Sequence, residues 1–543
     1  MTSTTKRVRT TLLTTGAALA LLSSVPANSQ ELGEIVPPLS IAYYASDFGI
    51  HYEQSARVLA DDWGKLGLDL ELRPIQFSTF ISTINVAGGL EDIAAAGVGA
   101  DPDRVDPTYW LFDQSACGQR RNASKWCNES YSEKSALHLT QIDHDERLNT
   151  VKELQQQHFD EAPWWPVTHL VFGMVWNSDK WENIQSSSPI NPAESQVNPW
   201  LNAVPLTDDR ILDWGYFEDV DTYNPMAEEG AVGWLRLIYD TFAKIDSEGN
   251  TSPWAAESWE FVDDTTLRVK LREGMQFHDG EAVTSDDAVF TLNMAVENQP
   301  PAMAARVRNI TVAEKVDDLT FDIKLKTSDA AFVTTGLPFL FILPEHRWAN
   351  YEGDVVARDV IADGVVVGSG PFKFKLWRRN EVHELETHGD HWAAPKYDGI
   401  RRLALGQADA IRSALISGQA DIATSILPQA AMSDLATQYD YLDFMEDTSH
   451  ESILVWLNNE KAPFTDQAFR KALRQSTNKQ RVVIEAFQGF AIPAGSGPIP
   501  KVLSAWHNDD LPSVEFNIEA ARQLLEHAGY AWDDSGRLHY PAK

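Results

Sequence analysis

Between Pro38 and Leu72 the pattern of apolar and polar positions changes period twice. The run 38–45 (PLSIAYYA) predicts a strand. From Tyr52 to Leu66 the apolar residues Ala56, Leu59, Ala60 and Trp63 share one stripe, which predicts an amphipathic helix, and Gly67 ends it. Leu68 to Leu72 then alternates strictly, as a second strand does. Strand, helix and strand make a β-α-β unit, a usual building block of parallel sheets. A longer helix is predicted from Asp145 to about Phe159, with Pro163 and Pro166 behind it. Further on, Leu267–Leu271 alternates and Phe321–Leu325 repeats the alternation, which predicts antiparallel β structure. Thr284-Ser285-Asp286-Asp287 marks the start of a helix through Met294, because a hydroxyl and early acids satisfy free backbone N–H groups. Between Gln185 and Pro205 the density of Ser, Asn and Pro disfavours regular structure and marks a linker. No repeat of 20–50 residues is visible.

Composition then narrows the class. A chain of 543 residues is too long for one core, so two or three lobes are expected. Its net charge of −34 argues against nucleic acid and anionic lipid as partners, since both are polyanions. Lys6, Arg7 and Arg9 precede an apolar run from Leu12 to Val25, and Ala27-Asn28-Ser29 follows with small residues. That order predicts a signal peptide (1–29) cleaved near Ser29, and a run too short to span a bilayer. No Cys stands at the cleavage point, so no lipid anchor is expected, and the mature protein is read as exported to the periplasm. The only cysteines, Cys117 and Cys127, lie ten positions apart. In an exported chain they predict a disulfide, worth roughly 2.5–3 kcal/mol on the loop-entropy model. A metal site would need a His inside the loop, and there is none.

Several motifs together resemble one family. Pro253-Trp254-Ala255-Ala256-Glu257-Ser258-Trp259, Phe277-His278-Asp279-Gly280, Gly368-Ser369-Gly370-Pro371-Phe372, Gly418-Gln419-Ala420-Asp421-Ile422 and Phe469-Arg470-Lys471-Ala472-Leu473 occur in that family's order. The family is the family-5 solute-binding proteins, receptors of peptide-type ABC importers. The earlier segment, from Leu39-Ser40-Ile41-Ala42-Tyr43 through Asp106-Pro107 to Ala162-Pro163-Trp164-Trp165-Pro166-Val167, resembles the family's last third. Its Cys-bounded loop is similar to the dipeptide-binding branch. The order of the two parts is therefore that of a circular permutation, with the linker at about 185–205 as the join.

The resemblance implies an α/β, two-lobed periplasmic-binding-protein fold of the large peptide-binding type, with mixed sheets and an extra β-rich subdomain. One lobe would comprise about 161–435. The other would combine 37–160 with 436–543. The implied function is a non-enzymatic receptor, a monomer with no cofactor, that captures a peptide-like or amino-terminated solute and delivers it to a membrane permease. An oligosaccharide ligand, a sensory hand-over and an exported hydrolase or peptidase are the alternatives.

Site candidates follow from the same resemblance. Asp103, three residues before Asp106-Pro107, matches the Asp that anchors a ligand ammonium in peptide-binding relatives. The dipeptide-binding relatives also use an Arg for the ligand carboxylate, a few residues after the strand that matches Leu39–Tyr43, but no Arg occurs here between Leu39 and His51, which departs from the dipeptide pattern. Eighteen tryptophans offer flat stacking walls, and Trp110, Trp214 and Trp456 follow segments that line the cleft in relatives. Asn458 would add a two-sided amide. Two catalytic look-alikes carry little. His383-Glu384 with His388 misses the HExxH spacing by one residue, and Ser476 to Lys479 matches SxxK without its partner motifs.

Overall fold

One eleven-stranded mixed sheet runs through the whole molecule. The structure, a computed structural model, describes residues 32–542 except 47–48, 87, 186–197, 221, 228–231 and 425–426. The expected signal segment and most of the expected linker therefore lie outside the described residues. Along the sheet the strand order is Phe372–Arg378, Val382–Thr387, Gly399–Ala404, Ile211–Tyr216, Ile422–Thr424, Trp164–Asn177, Leu442–Leu457, Ile93–Val98, Leu39–Tyr44 and Leu70–Ile75. The short strand Ala491–Pro493 branches from Trp164–Asn177. A separate antiparallel sheet of four strands holds Leu267 to Leu271 and Phe321 to Leu325 as direct neighbours, as their shared alternation predicts.

The β-α-β unit forms as the periodicity requires. Leu39–Tyr44 pairs in parallel with both Leu70–Ile75 and Ile93–Val98, and the helix Ile50–Gly64 connects the first two. Its stripe is buried: Ala56, Leu59 and Trp63 are fully enclosed. Gly67 takes φ +83°, a left-handed conformation costly for other residues. A side chain there would also strike the carbonyl of Gly536. The second predicted helix spans His144–Glu161, capped by Asp143 accepting from the Glu146 N–H. The helix Ser285–Asn298 begins in a capping box, with the Thr284 N–H donating to Asp287 at 2.9 Å.

Two large buried cores divide the molecule into lobes. One is built from residues between Met174 and Ile422. The other joins Val36–Val167 to Ile453–Leu538, with Ile245 reaching in from the first lobe's stretch of chain. The change of core falls inside the two long strands, between Val167 and Met174 in one and, in the other, between Leu442, part of a smaller third core with Val175 and Leu415, and Ile453. These strands are the crossing points between lobes. Their pairing is broken by a bulge, where Thr448 faces Val171 and Ser452 faces His169, so three residues, 449–451, stand opposite one, and the register shifts again between Ile453 and Leu454, where Val167 is skipped. The lobes also meet where the Ala330 N–H donates to the Leu139 carbonyl at 2.7 Å and the Ser328 hydroxyl to the Thr140 carbonyl at 3.2 Å.

Candidate binding cleft

A cavity of about 810 Å³ lies at the junction of the lobes. Its floor begins where the strand Ile93–Val98 ends. Gly97 there has no room for a side chain, because the Tyr52 ring lies against it, and the Tyr44 hydroxyl donates to its carbonyl at 2.9 Å. Tyr44 also packs edge-on against Tyr52 and Phe77, at 4.8 and 5.1 Å between ring centres, giving the cavity an aromatic wall.

The chain then turns through the short 3-10 segment Pro102–Val105, which carries Asp103 into the cavity. Three interactions hold this turn. The Arg104 guanidinium pairs with Asp101, donates to the Gly99 carbonyl at 2.7 Å and lies 4.9 Å from the Tyr109 ring. The Trp110 indole N–H donates to the Arg104 carbonyl at 2.8 Å. From the bulge at 449–451, the His450 Nε2–H donates to the Asp101 carbonyl at 3.0 Å. Beneath the turn, Asp106 forms a two-pronged ion pair with Arg147 at 2.8 and 3.1 Å. Burial pushes the Asp106 carboxyl up, yet Arg147 and the Thr108 hydrogen bonds outweigh it and hold the group below the usual range.

The disulfide supplies a third wall. Cys117 and Cys127 are joined, and the loop they close presents Arg120 and Arg121 to the cavity. Inside that loop Asn122 donates to the Ala116 and Trp126 carbonyls at 3.0 and 2.8 Å, so its shape is fixed twice over. Asp113 faces this wall. Burial pushes its carboxyl up to about 6, against the pull of Arg121 and, from the other lobe, Arg308. Arg308 and Ala305 form the cavity's opposing side. Glu451 and Trp456 enter from the crossing strand.

Of the residues picked from sequence, Asp103 and Trp456 come together at this cavity. Trp456 forms its base, with its indole N–H bonded to Gln114 at 3.1 Å. Trp110 stands behind the wall, fully buried. Trp214 lies in the other lobe's core, 4.4 Å from the Trp200 ring, with the Arg402 guanidinium 5.0 Å over it. The Asn458 amide donates to the Leu90 and Glu91 carbonyls at 2.8 and 3.2 Å, so it fixes a turn away from the cavity. The arginines of the cavity are not among the residues the sequence singles out. Arg120-Arg121 was visible as a basic doublet inside the Cys loop, whereas Arg308 gave no local signal.

The catalytic look-alikes dissolve. His383 sits in the strand Val382–Thr387 against Asp219 and the Tyr223 hydroxyl, and His388 donates from Nδ1 to the Gly370 carbonyl. The Ser476 hydroxyl donates back to the Ala472 carbonyl, and Lys479 binds the carbonyls of Ala494 and Gly495. Among the described residues no group of three or more His, Cys, Asp or Glu could hold a metal ion. No helix among them is long and apolar enough to cross a membrane. A second cavity, of about 640 Å³, lies on the outer side of the disulfide loop. Only one lobe lines it, and its buried Arg470 is occupied by the Glu161 and Phe464 carbonyls, so the interlobe cavity is the better candidate.

Comparison with known proteins agrees with this architecture. The profile of bacterial extracellular solute-binding proteins, family 5 Middle, matches residues 250–542. The oligopeptide-binding protein AppA of Bacillus subtilis is 27% identical over 305 residues, 55% of this chain and 55% of its own length. The glutathione-binding protein GsiB of Pectobacterium atrosepticum is 28% identical over 282 residues, 51% of this chain and 52% of its own. The chain thus spans about half the length of these relatives. Among solved structures, the periplasmic murein tripeptide binding protein MppA in its unliganded open form is similar in fold, with a TM-score of 0.50 at 18% identity over 60% of this chain and 67% of that one.

Proposed function

The chain belongs to the bacterial extracellular solute-binding proteins of family 5, and on that footing we propose that it is the substrate-binding receptor of an ABC importer. The solute is peptide-like or amino-terminated and lies between the lobes. The observation that carries this reading is the interlobe cavity itself. It has an aromatic wall, a carboxylate at Asp103 and cations from both lobes, and about 810 Å³ suits a small peptide rather than a single ion. Asp103 receives the solute's ammonium group, and a charge-assisted bond there contributes roughly 1.5–3 kcal/mol.

The mechanism is a hinge equilibrium. A solute touching Asp103 in one lobe and Arg308 in the other makes both contacts only when the lobes are shut, so its binding energy favours closure. The two crossing strands with their bulge at 449–451 are the hinge. The closed form is then presented to a membrane permease. The protein acts as a monomer after export and removal of residues 1–29, and it performs no chemistry on its cargo. An oligosaccharide is the weaker alternative, because Trp456 is the one tryptophan among the described cavity-lining residues.

The circular permutation belongs to the same proposal. Its support is the meeting of the two distant segments: the Val36 N–H donates to the Leu538 carbonyl at 2.9 Å, and the Tyr540 N–H to the Glu34 carbonyl at 2.8 Å. The strand that follows the family's Ala528-Gly529-Tyr530 element in space is thus Leu39–Tyr44, although it precedes that element in the chain.

Native mass spectrometry of protein purified without denaturation tests the receptor reading. An adduct of peptide mass, released on unfolding, is expected. Steady hydrolysis of a labelled peptide by the pure protein, lost on one point substitution, would overturn it in favour of an enzyme.

A further inference from the structure

The helical segment that borders the aromatic wall points its side chains two ways. Phe77–Phe80 has α geometry and Ile81–Val86 the wider π geometry. Phe80 and Ile84 are buried in the core of their lobe. Phe77, Ile81 and Asn85 line the interlobe cavity instead. A residue four positions on lies slightly past one full α turn and slightly short of one π turn, so the change of geometry at Ile81 keeps these three in a row. Phe77 leaves 39% of its surface exposed, although Phe80 beside it is fully enclosed, so the fold alone does not use its ring.

Tyr44 stands against this row. Its ring lies edge-on to Phe77 at 5.1 Å, to Phe80 at 4.7 Å and to Tyr52 at 4.8 Å. Phe77, Tyr44 and Ile81 therefore bound an apolar slot, and Asn85 ends the row with an amide. The Asn85 Oδ1 is enclosed without a partner, and its amide forms no hydrogen bond among the described residues. The Gln114 amide of the same cavity is, by contrast, used at both ends, by the Trp456 indole and the Tyr109 hydroxyl. The slot also adjoins the turn that carries Asp103, because Tyr44 is bonded to the Gly97 carbonyl and Arg104 to the Gly99 carbonyl.

We propose that this slot is a side-chain pocket selecting solutes that carry an aromatic group with a hydroxyl at its tip, a tyrosyl-type residue. This rests on the receptor reading above and adds the class of solute. An aromatic ring entering the slot meets the exposed Phe77 face and the Tyr44 ring, and such ring pairs add to the gain from apolar burial. Its tip then meets the Asn85 amide. A buried amide left without partners destabilises the folded chain, and a bond from the solute relieves it. A phenol gives its proton to the amide oxygen or takes one from the nitrogen, so it fits whichever way the amide is turned. A phenylalanyl ring fills the slot and leaves the amide unbonded. An alanyl side chain does neither.

The test is calorimetric titration at pH 7 with Ala-Tyr-Ala, Ala-Phe-Ala and Ala-Ala-Ala. The wild type should bind the tyrosyl peptide roughly 3- to 10-fold tighter than the phenylalanyl one, the ratio of one neutral hydrogen bond. It should bind the phenylalanyl peptide about 10-fold or more tighter than Ala-Ala-Ala, from ring contact and burial. Asn85→Leu should bring the two aromatic peptides level and keep both ahead of Ala-Ala-Ala. Phe77→Ala should weaken both aromatic peptides severalfold and leave Ala-Ala-Ala unchanged. Asn85 holds no hydrogen bond among the described residues and Phe77 is exposed, so both variants should melt near the wild-type temperature. Equal binding of any two of the three peptides by the wild type, or a tyrosyl preference that survives Asn85→Leu, overturns this inference and leaves the receptor reading standing. No binding of any of the three peptides to the wild type overturns both.

Discussion

The two lobes differ in how the chain builds them and in what they give to the cleft. The first draws its core from one stretch, Met174 to Ile422. The second is assembled from two stretches separated by nearly three hundred residues of the first, and specific contacts stitch them. The Trp63 indole N–H donates to the Leu473 carbonyl at 3.1 Å and the Thr477 hydroxyl at 3.2 Å. The buried Asp62 accepts from the Asn478 N–H at 3.0 Å and from Arg481 at 3.1 Å. Yet this stitched lobe carries nearly all of the cavity, while among the described residues the continuous one brings Ala305 and Arg308 to it. On the proposed reading, recognition therefore depends on two chain segments finding each other, and the continuous lobe acts chiefly as a cover with a single charge.

The largest expected effect strikes the stitching. Trp63→Ala removes a fully buried indole and both its bonds, which costs about 3–5 kcal/mol. In urea the stitched lobe should unfold earlier while the continuous lobe keeps its midpoint, with peptide binding lost at the first transition. One shared transition shifted as a whole would erase the distinction between the lobes. Next in size is the disulfide. Replacing Cys117 and Cys127 by Ser should cost roughly 2.5–3 kcal/mol of the same lobe's stability, read as a lower urea midpoint. It should also weaken peptide binding, because the loop carrying Arg120 and Arg121 loses a fixed end.

A smaller effect concerns pH. The Asp113 carboxyl, raised to about 6 mainly by burial, gains a proton as pH falls from 7 to 5. Its charge no longer offsets Arg121 and Arg308, so the affinity for Ala-Phe-Ala should rise severalfold over that interval. The peptide's own carboxylate stays ionised there, with a pKa of about 3.5. The Asp113→Asn variant should flatten this part of the profile. The sign on stability is consistent: a carboxyl raised in the folded state favours folding fully below its unfolded pKa and loses that contribution as pH rises through about 6. The smallest effect is expected of connectivity. A chain rearranged to begin at Asn198, joined from Tyr540 to Glu34 and ending at Gln185 should fold to within about 1 kcal/mol of the natural order, because the segments it joins already touch and the buried Trp200 is kept. A rearranged chain that fails to fold would count against the permutation.

How much of this was legible in the sequence follows from which interactions are local. The β-α-β unit, the capped helices and the antiparallel pair were readable, because periodicity and capping are properties of neighbouring residues. The cleft was less so. Trp110, Trp214 and Trp456 look alike in sequence, and only packing decides that Trp456 floors the cavity while the other two fill cores. Asn458 gives its amide to the Leu90 and Glu91 carbonyls, partners 367 residues away or more that a strand pairing brings near. Arg308 acquires its place only when the lobes meet. Asp103 was within reach because the turn that carries it sits beside the Asp106-Pro107 landmark.

The measurement that bears most directly on the receptor account is the affinity of the wild-type protein and Asp103→Ala for Ala-Phe-Ala by calorimetry. The wild type should show saturable one-site binding, and the variant should bind about 10- to 100-fold more weakly, the loss expected of one charge-assisted hydrogen bond. Equal affinities, or no heat from the wild type at millimolar peptide, would contradict it.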